Sequence, residues 1–297
     1  MSIKKLALLL TVVAATTVGA ATAQAQPYPR TFVSAGGTDT SNTACSFTAP
    51  CQTFQHALAE TSSGGEINCL TPGGFGALSI SQSVTINCEA VSNGGVNVNG
   101  GTAVTIGTAD ITVNLIGLDI NGENHSQVGV SITAAAFVNI RNCKIYGFSL
   151  EGANGAISYQ PEGSMGDLGS LVVDNVFIAN NTNGIYEYSS SGAANVTVRN
   201  SNINNNSGDG IYLYAAGGAG IHSGATIEQT TLAFNGAGLY VQGSGAIAVL
   251  GGSTVVNNTT GVASSSGGLL YSFKNNQIGG NNTDGTPLTA YPGGPLN

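Results

Sequence analysis

Four side chains of this sequence could take part in acid–base chemistry: Lys144, Arg199, Asp209 and His222. Elimination from a uronic-acid sugar requires a free base, together with a cation or metal that neutralises the carboxylate. Glycoside hydrolysis requires two carboxyl groups about 5 to 10 Å apart. The nearest acid to Asp209 on a neighbouring repeat is Glu187, and a four-residue offset along a strand separates the two by about 13 Å. The sequence therefore predicts no complete catalytic site.

Metal and cofactor motifs give no stronger signal. His56, His125 and His222 do not form a pair at metal-ligand spacing. The sequence also has no Gly-x-Ser-x-Gly motif and no glycine-rich loop that opens a helix and could hold phosphate. We therefore expect no metal and no cofactor.

Aromatic side chains give the most suggestive surface. If Ile185, Ile211 and Leu239 point inward, alternation along the strands turns two columns of tyrosines outward. Their flat, amphipathic rings suit sugar faces or a protein partner, although such a stack can also serve only to stiffen a sheet. The predicted ligand-binding residues are Tyr186, Tyr188, Tyr212, Tyr214 and Tyr240.

One acidic residue conflicts with this pattern. Glu187 lies between Tyr186 and Tyr188, where alternation sends its carboxylate inward. We therefore expect either a bulge in that strand or a strand that ends earlier.

Short strands at a regular interval must position these side chains. Two apolar columns, five residues apart, recur through the chain at intervals of roughly 23 to 33 residues, with an Asn/Ser/Gly turn in each repeat. With 44 glycines, no Trp and 7% charged residues, the composition excludes a helical bundle. The first column is Ile67, Ile86, Leu115, Ile140, Val173, Val198, Ile227, Leu250 and Phe273, and the second is Ile120, Ile145, Ile178, Ile203, Leu232, Val255 and Ile278. This pattern predicts an all-β, single-domain parallel β-helix.

Turn and charge columns follow from the same alignment. Asn142, Asn175 and Asn200 come two residues after the first column, where a tight corner favours Asn and stacked amides can hydrogen-bond. One residue after that column, the sequence predicts an outward row of alternating charge that fixes the register of the coils. This charge row is Arg141, Asp174, Arg199 and Glu228, followed by Gly251 and Lys274.

The segment before the repeats reads as a cap. Phe54, Ala57 and Leu58 have helical spacing behind a possible Thr53 cap, and such a helix would cover the apolar end of the first coil. Cys45 could pair with Cys51 across a short loop, and Cys69 with Cys88 on neighbouring coils about 4.8 Å apart. Cys143 is left over, and we expect it to be a small buried side chain.

The amino terminus reads as an export signal. Lys4 and Lys5 precede an apolar run and the small residues Ala23-Gln24-Ala25, which predicts a signal peptide over residues 1–25, cleaved after about Ala25. Five basic and fifteen acidic residues remain, so the mature net charge is 5 − 15 = −10. We expect a secreted or periplasmic protein that does not bind nucleic acid. No later apolar run is long enough to span a membrane.

The segment FVSAGGTDTSNTAC…APCQTFQHALAETSSGGEINCLTPGGFG resembles the amino-terminal cap of secreted right-handed parallel β-helix proteins. The coils that follow are similar to repeats of the pectate-lyase-like superfamily, which includes lyases, hydrolases, epimerases and adhesins. The resemblance covers residues 31–280 and implies a right-handed β-helix. With it, the sequence predicts a cap over 26–65, a β-helix over 66–280 and an irregular tail over 281–297.

Three functions remain open. The leading hypothesis is a secreted, non-catalytic protein that binds extracellular polysaccharide or another cell-surface component through the tyrosine columns. The first alternative is a polysaccharide lyase or glycoside hydrolase that uses Arg199, Lys144, Asp209 or His222. The second is a structural protein of the cell envelope. The sequence names no ligand.

Overall fold

The chain winds through three parallel β-sheets, called A, B and C in the order in which each coil visits them. A computed structural model describes residues 27–134, 136–150, 152, 154–162, 168–218 and 221–292. The predicted signal peptide, residues 1–25, lies outside this part. Within it, every named strand pairs in parallel with the same sheet's strand in the next coil.

The strands are short, as the turn-rich sequence predicts, and their numbers refer to the described residues alone. Sheet A has eleven: Tyr28–Val33, Thr61–Cys69, Val84–Asn87, Thr112–Ile116, Phe137–Arg141, Leu168–Asp174, Ala193–Arg199, His222–Glu228, Ala246–Gly251, Leu269–Ser272 and Thr289–Ala290. Sheet B has nine: Gly73–Gly74, Gly94–Asn97, Asp119–Asn121, Lys144–Tyr146, Phe177–Ala179, Asn202–Asn204, Thr231–Ala233, Thr254–Val256 and Gln277–Ile278. Sheet C has nine: Leu78–Ile80, Thr102–Ile106, Val128–Ala134, Gly155–Glu162, Ile185–Ser189, Ile211–Ala215, Ala237–Gln242, Thr260–Ser265 and Thr283–Gly285.

One helix, Phe54–Glu60, precedes the first complete coil. The Thr53 hydroxyl accepts a hydrogen bond from the His56 backbone N–H at 3.2 Å, which caps the helix as the sequence predicts. Phe54 is fully buried and packs its ring edge against Phe75, with 5.1 Å between ring centroids. The helix thereby covers the apolar end of the solenoid.

Both predicted disulfides are confirmed. Cys45 is bonded to Cys51 and Cys69 to Cys88, and the Cα atoms of each pair are 4.8 Å apart. The second bridge joins neighbouring coils, since Cys69 ends one strand of sheet A and Cys88 follows the next. The structure therefore fits a compartment in which thiols oxidise.

The two apolar columns form the interior, with one correction. In the sheets, each residue of a column pairs with the column residue of the next coil. The second column is confirmed throughout. In the first column Leu250 pairs with Ser272, so the prediction of Phe273 is wrong. The Ser272 hydroxyl accepts hydrogen bonds from the Lys274 backbone and the Asn276 amide, which satisfies a polar group at an apolar position.

The corner between sheets A and B is built on Asn in the left-handed conformation. Asn142, Asn175 and Asn200 have φ of 55°, 53° and 52°, which Asn tolerates better than other side chains. The Asn175 amide donates to the Asn142 amide oxygen at 2.8 Å. These asparagines therefore have the structural role that their spacing predicts.

A second, buried Asn ladder lies at the corner between sheets B and C, and the sequence analysis did not identify it. Along the ladder, each side-chain amide except the last donates to the amide oxygen of the next coil at 2.9–3.1 Å. The same oxygens accept backbone N–H groups of the preceding coil, so one side chain satisfies two donors. We call these residues the buried Asn ladder: Asn181, Asn206, Asn235, Asn258 and Asn281.

Cys143 occupies a buried position, as predicted. Its sulfur accepts the Leu118 backbone N–H at 3.3 Å, and burial raises the pKa of the thiol to about 12. Two coils further along, the Ser201 hydroxyl accepts the Val176 backbone N–H in the same way, at 3.1 Å. Cys143 therefore serves as a hydrogen-bond acceptor at the corner between sheets A and B.

Native protein is accordingly expected to show no thiol that reacts with an aromatic disulfide reagent at pH 8, because the thiolate is desolvated. Denaturation without reductant is expected to release one reactive thiol per chain. Cys143→Ser is the control and should give none in either state. Rapid labelling of the native protein would contradict the assignment.

The carboxyl-terminal segment differs from the prediction. Residues predicted as an irregular tail contain the strands Thr283–Gly285 and Thr289–Ala290, which extend sheets C and A. At the other end, the strand Thr61–Cys69 starts inside the segment predicted as a cap. Among the residues that the structure covers, no helix is long and apolar enough to cross a bilayer.

Candidate functional site

The predicted tyrosine columns lie on adjacent strands of sheet C. Tyr186 pairs with Tyr212 and Tyr212 with Tyr240, while Tyr188 pairs with Tyr214. The Tyr186 and Tyr212 rings are stacked with centroids 5.1 Å apart, and the Tyr188 and Tyr214 rings at 4.5 Å. We call these five residues the tyrosine face.

Hydrogen bonds hold two rings of the tyrosine face in place. The Tyr212 hydroxyl donates to the Gln242 amide oxygen, and the Tyr240 hydroxyl bonds to the Ser265 hydroxyl, both at 2.9 Å. All five side chains are half-buried, so each ring keeps an accessible surface. Rings fixed before a ligand arrives lose less conformational entropy on binding.

Glu187 lies directly beneath this face, inside the solenoid. Its strand pairs with the next from Ile185 to Ser189 without a bulge, so both the expected bulge and the expected early strand end are wrong. The carboxylate accepts hydrogen bonds from the Ser189 and Ser223 hydroxyls, each at 2.5 Å, and from the Tyr214 backbone at 3.3 Å. These three donors replace water, which explains why a carboxyl group fits there.

Burial nevertheless has the largest effect on the pKa of this carboxyl group. Desolvation raises the pKa of Glu187 to about 7, against the opposing effect of the hydrogen bonds from Ser189 and Ser223. Tyr159 pairs with Glu187 in the next strand, is fully buried, and has a hydroxyl with no hydrogen-bond partner in the structure. Burial and the neighbouring Glu187 raise the pKa of Tyr159 as well.

The surroundings of the tyrosine face carry no positive charge from sheet C. Its strands contain no Lys or Arg within the described ranges, whereas Arg141 and Arg199 end strands of sheet A and Lys144 begins one of sheet B. Asp209 precedes the strand of Tyr212, and burial raises its pKa to about 6.

The repeat region identifies the protein family. A family model described as the right handed beta helix region matches residues 67–223, which is just over half of the chain. The protein belongs to this right-handed beta helix family. The match agrees with the parallel solenoid and is consistent with the resemblance to the pectate-lyase-like superfamily. No curated protein and no solved structure matches the chain.

This right-handed beta helix places the four candidate acid–base residues in different elements. Arg199 ends a strand of sheet A and Lys144 begins one of sheet B. Asp209 lies in the corner between sheets B and C, and the exposed His222 begins another strand of sheet A. Glu187 points inward while Asp209 lies at an outer corner, so the two acids do not form a hydrolytic pair.

The charge row of the beta helix has the predicted register up to Gly251. Arg141 pairs with Asp174, Asp174 with Arg199, and Arg199 with Glu228. Arg199 forms an ion pair with Asp174 at 3.0 Å. Such half-exposed pairs stabilise a fold by about 1 kcal/mol or less.

Lys274 does not belong to this charge row, so its prediction is wrong. The Ser272 register places Phe273 over Gly251, where an added Cβ would lie 2.6 Å from the Phe273 ring. Lys274 is the left-handed corner residue instead, with φ of 66°. One additional residue in this corner accounts for the shift.

A cleft of about 350 Å³ opens on sheet A beside the charge row. Its polar lining comes from Asn114, Asn139, Arg141, Asp174 and Arg199. Asp174 also accepts a hydrogen bond from the Asn200 amide at 3.0 Å, and this contact and the Arg199 pair hold its pKa below the usual value. Arg199 is therefore engaged by a partner that is ionised at neutral pH.

One group of potential metal ligands escaped the sequence analysis. Side-chain atoms of Cys45, Cys51 and His56 lie within 4.8 Å of one another. The two sulfurs are joined as a disulfide, and His56 Nε2 contacts the Asn42 carbonyl oxygen at 2.7 Å. The arrangement has a structural explanation in the cap.

Proposed function

We propose that this chain is an extracellular or periplasmic protein that binds a neutral polysaccharide through the tyrosine face and does not cleave it. The observation that supports the proposal is the set of stacked, half-buried rings on adjacent strands. Both disulfides are compatible with such a compartment.

The spacing of the rings suits a polymer better than a small molecule. The ring planes of Tyr186 and Tyr188 are nearly parallel, with an interplanar angle of 2° and centroids 6.3 Å apart. Tyr212 and Tyr214 lie beside this pair on the next strand, so the face presents two columns of aromatic rings that carry polar hydroxyls. Sugar units combine an apolar face with hydroxyl groups, which matches this surface.

Charge supports a neutral polymer over an acidic one. The mature chain has a predicted net charge of −10, and burial, the neighbouring tyrosines and the acidic Asp209 together raise the pKa of Tyr212. A uronate polymer would meet repulsion at this face, since no cation from the strands of sheet C offsets it.

Replacing Tyr186 and Tyr212 together by Ala is expected to weaken binding at least tenfold, because the central stack of the face is lost. Affinity electrophoresis against soluble β-glucan, xylan, mannan, starch and polygalacturonate measures this. The wild type is expected to be retarded by a neutral polymer and not by polygalacturonate.

The matched control is Tyr271→Ala. Tyr271 lies on sheet A and packs against Tyr291 at 5.8 Å, away from the proposed face. This variant should bind as the wild type does. Retention of binding by the Tyr186→Ala/Tyr212→Ala protein, with native circular dichroism, would refute the proposed face.

A second candidate function rests on the cleft of sheet A. The two arginines and Asn114 and Asn139 could hold an acidic sugar there, and a lyase or hydrolase would then act at that site. Incubation with the same polymers, scored for unsaturated ends and for new reducing ends, separates the two candidates. Product formed from polygalacturonate and lost in Arg199→Ala would favour the enzyme.

A further inference from the structure

The corner between sheets B and C carries an outward column of residues, each directly before the buried Asn ladder or its equivalent. Register aligns one such residue in each of six successive coils. All six have left-handed φ between 53° and 79°. The column is Gly147, Asn180, Asn205, Phe234, Asn257 and Gly280.

Phe234 is the exception in this column. Gly and Asn adopt the left-handed conformation at little cost, whereas for a bulky side chain it is an outlier that the surrounding structure must enforce. Phe234 has φ of 56°, and its side chain is 61% exposed, so packing does not compensate for the strain. Strained backbone of this kind clusters at active sites, ligand clamps and switch regions.

A cleft surrounds this ring. It has a volume of about 500 Å³, and its outer lining comes from Asn124, Ser149, Asn180, Asn205, Ser207 and Thr259, together with Phe234. No lining residue is ionisable. The cleft therefore combines one exposed aromatic ring with amides and hydroxyls that can donate and accept hydrogen bonds.

The two exposed asparagines keep hydrogen-bonding capacity. The Asn205 amide group donates to the Asn180 amide oxygen, a contact between neighbouring coils. This contact engages one polar group of each side chain, and the Asn180 amide NH₂ and the Asn205 amide oxygen remain as a donor and an acceptor at the cleft wall. A vicinal diol can satisfy such a pair.

We propose that this cleft is a second binding site, which takes one or two sugar units of a neutral saccharide. The apolar face of a sugar packs on the Phe234 ring, and its hydroxyls bond to Asn180 and Asn205. The absence of ionisable groups in the lining excludes recognition of a uronate or a phosphate by charge. This site is separate from the tyrosine face and does not depend on it.

The decisive variant is Phe234→Asn, which restores the residue type of the neighbouring coils. It is expected to weaken binding of a neutral hexasaccharide at least tenfold, because the stacking surface is lost. It is also expected to raise Tm by about 2–4 °C, because Asn tolerates the left-handed backbone. A structural role for Phe234 would lower Tm instead.

Binding is measured by calorimetry with cello-, xylo-, manno- and maltohexaose and with hexagalacturonate. The Tyr186→Ala/Tyr212→Ala background removes the tyrosine face from the measurement. Phe177→Asn is the matched control, since Phe177 is an exposed ring on sheet B, 42% accessible, outside this cleft. It should leave the affinity unchanged.

Hydroxyl-radical footprinting of the wild type provides a second readout that needs no variant. A bound neutral hexasaccharide is expected to protect Phe234 and not Phe177. Unchanged affinity in Phe234→Asn, a lower Tm of that variant, no protection of Phe234, or binding of hexagalacturonate alone would each overturn the proposal.

Discussion

Between pH 4 and pH 8, the free energy of unfolding of Glu187→Gln is expected to rise by about 3 kcal/mol relative to that of the wild type. The Glu187 carboxyl is fully buried, and its pKa in the folded protein is about 7, against 4.5 when it is unperturbed. That difference corresponds to about 3 kcal/mol at about 1.4 kcal/mol for each pKa unit.

The sign follows from proton linkage. Between pH 4.5 and 7 the folded protein holds a proton on Glu187 that the unfolded chain has released. Stability from this group is therefore complete below pH 4.5 and is lost as pH rises through 7. Gln cannot ionise. Its amide oxygen can still accept a hydrogen bond from the Ser223 hydroxyl, and its amide NH₂ can donate to the Ser189 hydroxyl oxygen.

Urea unfolding of both proteins at intervals between pH 4 and pH 8 measures this difference. Asp209, whose pKa burial raises to about 6, is present in both proteins and cancels in the comparison. Glu123→Gln, in an exposed turn, is the control and should show no such pH-dependent gain. A difference between wild type and Glu187→Gln that stays constant with pH would contradict the buried cluster.

Asn206→Ala is expected to destabilise the protein by about 2–4 kcal/mol. The Asn206 amide oxygen accepts both the Asn181 backbone N–H at 3.1 Å and the Asn181 amide at 3.0 Å. The substitution leaves the buried Asn181 backbone donor without a partner and removes the contact to Asn235. An orphaned buried donor costs about 1–3 kcal/mol.

Asn204→Ala is the matched control for the buried Asn ladder. Asn204 is half-buried on the outer side of sheet B, and its amide donates only to the Asn202 side chain, at 2.8 Å, among the hydrogen bonds of the described chain. We expect a loss of about 0.5 kcal/mol or less. Equal urea midpoints for the two variants would show that the ladder does not carry stability.

The repeat fold could be predicted because the same apolar position recurs in many successive coils. Ile67 to Leu250 all point inward in register, so a single irregular coil does not obscure the pattern. The final coil shows where the pattern fails. Hydrophobicity favours Phe273 for the interior, but backbone register and two hydrogen bonds place Ser272 there.

Composition alone could not separate the two kinds of corner Asn. Asn200 and Asn206 both follow short strands in polar turns, yet Asn200 is exposed in a left-handed corner and Asn206 is buried in the ladder. Phe234 left a signal in the sequence, since it interrupts a column of Asn and Gly. That signal becomes readable only when the register of the second corner is known.

Glu187 shows how distant contacts decide an apparent conflict. Strand alternation correctly predicts that its side chain points inward. The free-energy cost of burying a carboxyl group then suggests a bulge or an early strand end, and neither occurs. Ser223, 36 residues away on sheet A, supplies a hydrogen bond that local sequence cannot reveal. The tyrosine columns, in contrast, depend only on alternation and register, and their predicted geometry is confirmed.

Hydroxyl-radical footprinting of the wild type, free and bound to its best-binding neutral polymer, shows whether the tyrosine face is the binding surface. With no Trp in the chain, tyrosines are prominent targets of such labelling. We expect protection of Tyr186, Tyr188, Tyr212 and Tyr214, with Tyr271 labelled as in the free protein. Labelling of these four that is unchanged in the complex, or a failure of every neutral polymer to bind, would contradict it.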